Sequence, residues 1–223
     1  MSNIKILTEG LTEILFVNEV LKPYLDERGV LVRPFLLQEG GGIIKYPRAK
    51  KQILNTINSD PSCFCTLLVD FYGLRKDWPG REDADSQANR HMTYLKKAET
   101  VEKALFGDIC EQLGSSFNPS RFIPYIQMHE FEALLFSDTI VWAEEKISDQ
   151  LEKIKRPFSC PEKINDKTSP SRRLGGVFEK YGQKYKKIND GIIAAKKIGM
   201  TKMRSACPHF NKWITKLENL GNN

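Results

Sequence analysis

Ile4–Leu7 is a short apolar run that stops at Thr8-Glu9-Gly10, the pattern of a strand ending in a turn. Thr12 then opens a helical pattern, with Ile14, Val17, Val20 and Leu21 recurring at helical spacing up to Pro23. Leu31–Leu37 predicts a second strand, and Pro34 within it argues for an edge position or a bulge. Gly40-Gly41-Gly42 predicts a loop, and Tyr46–Asn58 a helix with Ile53, Leu54 and Ile57 inward. Thr66–Val69 predicts a buried strand ending at Asp70, followed by a polar loop over Tyr72–Ser86. A long helix is predicted over about Gln87–Leu113, with Gly107 as a candidate break. Arg121–Gln127 reads as a fourth strand and Glu130–Phe136 as a short helix. Beyond Ser137, Ile140–Ile154 reads as helix and Arg156–Arg173, rich in Pro, Ser and Lys, as loop. Tyr181–Ile198 and His209–Leu220 read as helices, with Gly199 as the stop between them.

Strands alternating with helices predict an α/β fold, a mostly parallel sheet flanked by helices. We expect that core over residues 1–138 and a mostly helical extension packed on it over residues 139–223. In such sheets chemistry gathers at the carboxyl ends of the strands. Glu9, Asp70 and the run His129-Glu130-Phe131-Glu132 all sit just after predicted strands.

Charge sharpens the division. Residues 1–150 carry 17 Lys/Arg and 22 Asp/Glu, whereas residues 151–223 carry 17 Lys/Arg and 6 Asp/Glu. An acidic part suited to a cation precedes a basic part suited to a polyanion, although a basic surface also serves solubility alone. No apolar stretch approaches the ~20 residues of a membrane-spanning helix, and Met1-Ser2-Asn3-Ile4-Lys5 has no apolar leader core. Five cysteines spread along the chain fit a reducing compartment, so a cytoplasmic location is expected.

Four carboxylate positions are candidates for one site: Glu9, Glu13, Asp70 and one or both of Glu130 and Glu132. Glu9 and Glu13 lie four apart and share a face if a helix starts near Gly10. Carboxylates so close repel unless a cation neutralises them or a proton is shared. Magnesium or manganese takes such oxygen ligands, and can stabilise charge on a phosphodiester. Glu13 also reads as a helix-start residue and Glu132 as a solvent-facing one. His129 is a candidate general base or phosphate contact, or simply a hydrogen-bonded core histidine. Arg173, Lys184, Lys187 and Arg204 are candidate nucleic-acid contacts, with Tyr181 and Tyr185 interleaved. The chain has no Walker A motif, no G-x-S-x-G elbow and no C-x-x-C pair. His209 near Cys207 lacks a second ligand pair for zinc.

Thr8-Glu9-Gly10-Leu11-Thr12-Glu13 resembles the E-G-x-T-E start of the TOPRIM domains of OLD-type nucleases. Val69–Leu74, Asp77-Trp78-Pro79-Gly80, Gln127–Phe136, Pro170–Leu174 and Cys207-Pro208-His209-Phe210 resemble an uncharacterised bacterial TOPRIM-like family. The resemblance spans nearly the whole chain. It implies a TOPRIM-like, Rossmann-type core and a magnesium- or manganese-dependent nuclease acting on DNA or RNA, with a role in phage or mobile-element defence. Glu9 matches the glutamate that TOPRIM enzymes carry after the first strand, and Asp70 the first of their aspartate pair. The second member of that pair is Tyr72 here, so Glu130, Glu132 or Asp77 would have to substitute. The same departure suits an alternative, a catalytically inactive subunit that binds nucleic acid or a partner ATPase in a defence complex. A small-molecule enzyme using the acidic cleft is a third reading, without a cofactor fingerprint.

Overall fold

A computed structural model describes residues 2–38, 40–42, 44–165 and 168–222. Strand β1 (Ser2–Thr8) lies between β2 (Val30–Leu36) and β3 (Phe64–Asp70), and all pair in parallel. Two short strands, β4 (Phe122–Ile123) and β5 (Ile126–Gln127), both pair with β3, again in parallel. The order β2-β1-β3-β4 makes β2 an edge, which is where Pro34, lacking an N–H, is tolerated. The expected fourth strand is split because Pro124 cannot donate to a ladder.

Helices cover both faces. Between β1 and β2 run α1 (Leu11–Phe16), a π turn (Val17–Leu21) and α2 (Lys22–Asp26). Pro23 therefore does not end the helix, as the sequence suggested. The wider π turn has the Lys22 N–H reaching back to the Val17 carbonyl, and Pro23 sits in the first turn beyond it. Helix α3 (Tyr46–Asn58) has the expected bounds, with Ile53 and Ile57 buried. A short α4 (Arg81–Asp85) precedes α5 (Tyr94–Leu113). Helix α5 starts later than expected, capped by the Thr93 side chain, and passes Gly107 unbroken. Then come α6 (Glu145–Lys155), α7 (Pro170–Lys180), α8 (Lys187–Ala206) and α9 (Pro208–Asn219). The expected loop thus contains the start of a helix, because Pro170 stands at its first position, where its missing N–H costs nothing. Gly199, at φ 72°, kinks α8 rather than stopping it.

Period-two alternation along β3 sorts its side chains. Cys65, Leu67 and Val69 join α3, α5 and Trp78 on one face, and Leu68 joins the other. That other face is covered by α1, the π turn, α8 and α9, through Phe16, Ala194, Phe210 and Trp213 among others. The basic C-terminal region is thus part of the core: the Trp213 indole donates to the Thr66 hydroxyl on β3, at 2.9 Å. Among the described residues no helix is long and apolar enough to cross a membrane.

Candidate functional site

Thr8 pairs with Leu68, so Glu9 and Asp70 leave neighbouring strands at the same end of the sheet. The Asp70 N–H donates to Glu9 Oε2 at 3.3 Å. Asp70 Oδ1 in turn accepts the Phe131 N–H at 2.8 Å. Phe131 opens a 3-10 turn, Phe131–Ser137, that carries Glu132 into the same place. Glu13 arrives from the first turn of α1. Three of these carboxylates are deeply buried: Glu13 is 4%, Asp70 6% and Glu132 0% exposed. Both Glu132 oxygens lack a hydrogen bond among the described residues.

Among the described residues one cation faces them. Lys187, the first residue of α8, places Nζ 3.4 Å from Glu132, 3.8 Å from Asp70 and 4.0 Å from Glu13. Four carboxylates against one ammonium leave the pocket short of positive charge. Burial, and then the neighbouring acids Glu13 and Glu9, hold Asp70 well above the ordinary carboxylate range, although Lys187 pulls it down. Burial and the Glu13 charge raise Glu9. Burial raises Glu132 against the opposing pull of Lys187. Burial disfavours the Lys187 ammonium too, but Asp70, Glu132 and Glu13 outweigh it and hold the group above its ordinary value.

Backbone fit keeps Glu9 in place. A Cβ at Gly73 would fall 2.1 Å from Glu9 Oε2. The Gly42 N–H donates to the Glu9 carbonyl at 3.0 Å, and a Cβ on Gly41 would lie 3.1 Å from that oxygen. The triple-glycine loop is thus a brace behind Glu9, a role its sequence does not disclose.

Other candidates lie elsewhere. Glu130 stands at the lip, where Oε2 accepts the Ser171 N–H at 2.9 Å. His129 is buried among aromatic rings. It is 5% exposed, and its ring packs edge-on to Phe71 at 6.0 Å and tilted on Tyr72 at 5.4 Å. Burial first, then the Lys97 charge, lowers it to about 4, so it is neutral near pH 7. The charges acting on it most are those of Lys97, Asp85 and Arg81. Asp77 Oδ2 accepts the Tyr46 N–H at 3.0 Å and starts α3 instead of replacing a ligand.

The four expected nucleic-acid contacts do not form a stripe. Lys187 belongs to the acidic cluster. Arg204 ties α8 to α9 and α2 through Glu218, Asn211 and Tyr24, so its guanidinium is structural. Arg173 donates to the Thr168 carbonyl at 2.9 Å and lies over the Phe158 ring. Lys184 is exposed. The cysteines are free. His209 Nε2 pairs with Glu102 at 3.0 Å. Among the described residues no group of three or more His, Cys, Asp or Glu side chains is placed so that it could hold a metal ion as it stands.

Fold and site together define a parallel α/β protein with a carboxylate cluster at its strand ends. A family model described as "Domain of unknown function (DUF4276)" matches residues 8–218, and the chain belongs to that family. No curated protein and no solved structure matches it.

Proposed function

We propose that the protein is a metal-dependent phosphoryl-transfer enzyme, a nuclease of DNA or RNA built on a TOPRIM-like core and working in phage or mobile-element defence. The observation that carries this reading is Glu132, wholly buried with no hydrogen bond to either oxygen among the described residues, sharing the single Lys187 ammonium with Asp70 and Glu13. One ammonium shared among these acids leaves them under-neutralised, and the donor set is all carboxylate oxygen, which suits magnesium or manganese. Glu9, Glu13, Asp70 and Glu132 would hold the ion, and Glu130 stands at the lip. When bound, the ion supplies charge stabilisation for a phosphodiester and orients a water. The chain's own part is to fix these acids on strand ends, exclude water around Glu132 and brace Glu9 with Gly73.

Incubation of the pure protein with labelled DNA and RNA plus manganese tests this reading. Cleavage should be lost in a Glu9→Gln/Asp70→Asn double variant. Equal cleavage by both proteins, or none on any substrate, counts against it. A second expected result isolates the Gly73 contact. Gly73→Ala pushes only the flexible end of Glu9 aside, so manganese affinity should fall about tenfold, in the range of lost orienting contacts, with the fold retained. Calorimetric titration checks this, and an unchanged affinity removes Glu9 from the ligand set.

Two observations favour a second reading. Lys187 already sits among the acids and Tyr72 replaces an acidic ligand, which suits an inactive subunit that binds nucleic acid or a partner ATPase. That protein would bind in a salt-sensitive way and never cleave.

A further inference from the structure

Next to the carboxylate cluster lies a cavity of about 310 Å³, lined by Tyr72, Glu130, Thr168, Ser169 and Arg172. Glu130 joins the two places, since its charge acts on Glu9, Glu132 and Lys187. The walls differ in chemistry. Tyr72 is 38% exposed, and its ring is braced by His129 at 5.4 Å and Phe71 at 6.4 Å. Its N–H donates to the His129 carbonyl at 3.2 Å, which fixes the ring's base. Arg172, also in the lining, is exposed and makes no ion pair among the described residues. It stands in the first turn of α7, where the helix dipole also favours an anion. Between these walls are the Ser169 hydroxyl, which shares a 3.1 Å contact with Ser171, and the buried Thr168 hydroxyl, which bonds no described group.

A flat ring, a free guanidinium, hydroxyls and one carboxylate acceptor, in a volume at the small end of ligand pockets, fit one ligand class. A base stacks on a tyrosine face, a phosphate takes a guanidinium in bidentate fashion, and amino or hydroxyl groups of base and sugar meet Glu130. A bare cation would be repelled by Arg172. An acidic peptide would meet Glu130 and leave the Tyr72 face unused. We infer that this cavity seats one nucleotide whose base is unstacked, so that a strand reaches the carboxylate cluster single-stranded. The inference rests on the phosphoryl-transfer reading for its purpose, and its test is a binding measurement independent of cleavage.

Fluorescence anisotropy of a short labelled single strand and the matching duplex, in EDTA, compares wild type with Tyr72→Ala, Tyr72→Phe and Arg172→Ala. The single strand should bind about tenfold tighter than the duplex, and Tyr72→Ala should remove about that factor while Tyr72→Phe keeps it. Arg172→Ala should weaken binding and lower the salt slope by about one. Displacement of the strand by a nucleoside monophosphate, and not by inorganic phosphate, would show that free nucleotides enter too. Without displacement the seat serves strands only, and both results support it if Tyr72→Ala binds weakly. Equal binding of duplex and single strand, or wild-type affinity in both alanine variants, overturns the inference. A protein that passes here and never cleaves with manganese keeps the nucleotide seat and loses the nuclease.

Discussion

Glu162→Ala should cost about 3–5 kcal/mol and lower Tm by roughly 10 °C or more, from two charge-assisted hydrogen bonds and the size scaling of thermal unfolding. Glu162 is 0% exposed. Its Oε2 accepts the His209 N–H at 3.0 Å and its Oε1 the Phe210 N–H at 2.9 Å. These are free donors of the first turn of α9, since Pro208 has no N–H to offer. Helix α9 carries Phe210, Trp213, Ile214 and Leu217 into the core against β1 and β3. Removing the carboxylate leaves two buried donors without acceptors and an uncompensated helix end. Burial raises Glu162, while the two N–H bonds pull it down. Glu162→Gln keeps one acceptor oxygen and should lose about half as much. Thermal and urea unfolding measure both, and a loss under about 1 kcal/mol in the alanine variant would refute the capping role. Cys207-Pro208-His209-Phe210 is therefore a helix start seated on a buried acid.

Much of the sheet was legible because periodicity is local. β1, β3 and α3 follow from apolar spacing, and the edge position of β2 from Pro34. The errors cluster at prolines. Pro23 read as a stop, Pro170 as loop and Pro124 as the middle of a strand, yet the first follows a π turn, the second opens a helix and the third splits the strand. Which of these occurs depends on what the neighbouring carbonyls can reach, and that is set by packing. In the site, Glu9, Asp70 and Glu132 were legible because parallel strand ends converge. Lys187 was not legible as their counter-charge, being one lysine among many in a basic stretch. The surroundings of His129 were not legible because the backbone around it is irregular, so position along the chain does not tell which way the ring points. The Gly73 contact exists only between segments distant in sequence.

Lys187→Met should produce a protein whose stability falls steeply as pH rises, and which manganese rescues. The sign follows from the acids. Glu9, Asp70 and Glu132 are all raised in the folded state, burial being the largest cause. A raised carboxylate binds its proton more tightly when folded. Its contribution is full below the unfolded value, near pH 4–4.5, and fades as pH climbs through the folded value. Lys187 lowers all three, so its removal pushes them higher and extends the loss toward neutral pH and beyond. Breaking a fully buried pair costs about 3–5 kcal/mol. The Lys187 side chain is 44% exposed, so solvent screening reduces the expected loss at pH 8 to about 1–3 kcal/mol. As pH falls the variant and the wild type should differ less, because more of the acids hold protons. A cation that binds only the folded protein adds stability as its concentration passes its Kd. If Lys187 stands where the ion goes, manganese should raise the Tm of Lys187→Met and leave the wild type unchanged. If lysine and ion share the pocket, both should rise. Tm measured across pH 5–8, with and without manganese, separates these outcomes. Parallel pH profiles for the two proteins would show that Lys187 does not carry the charge balance of the cluster.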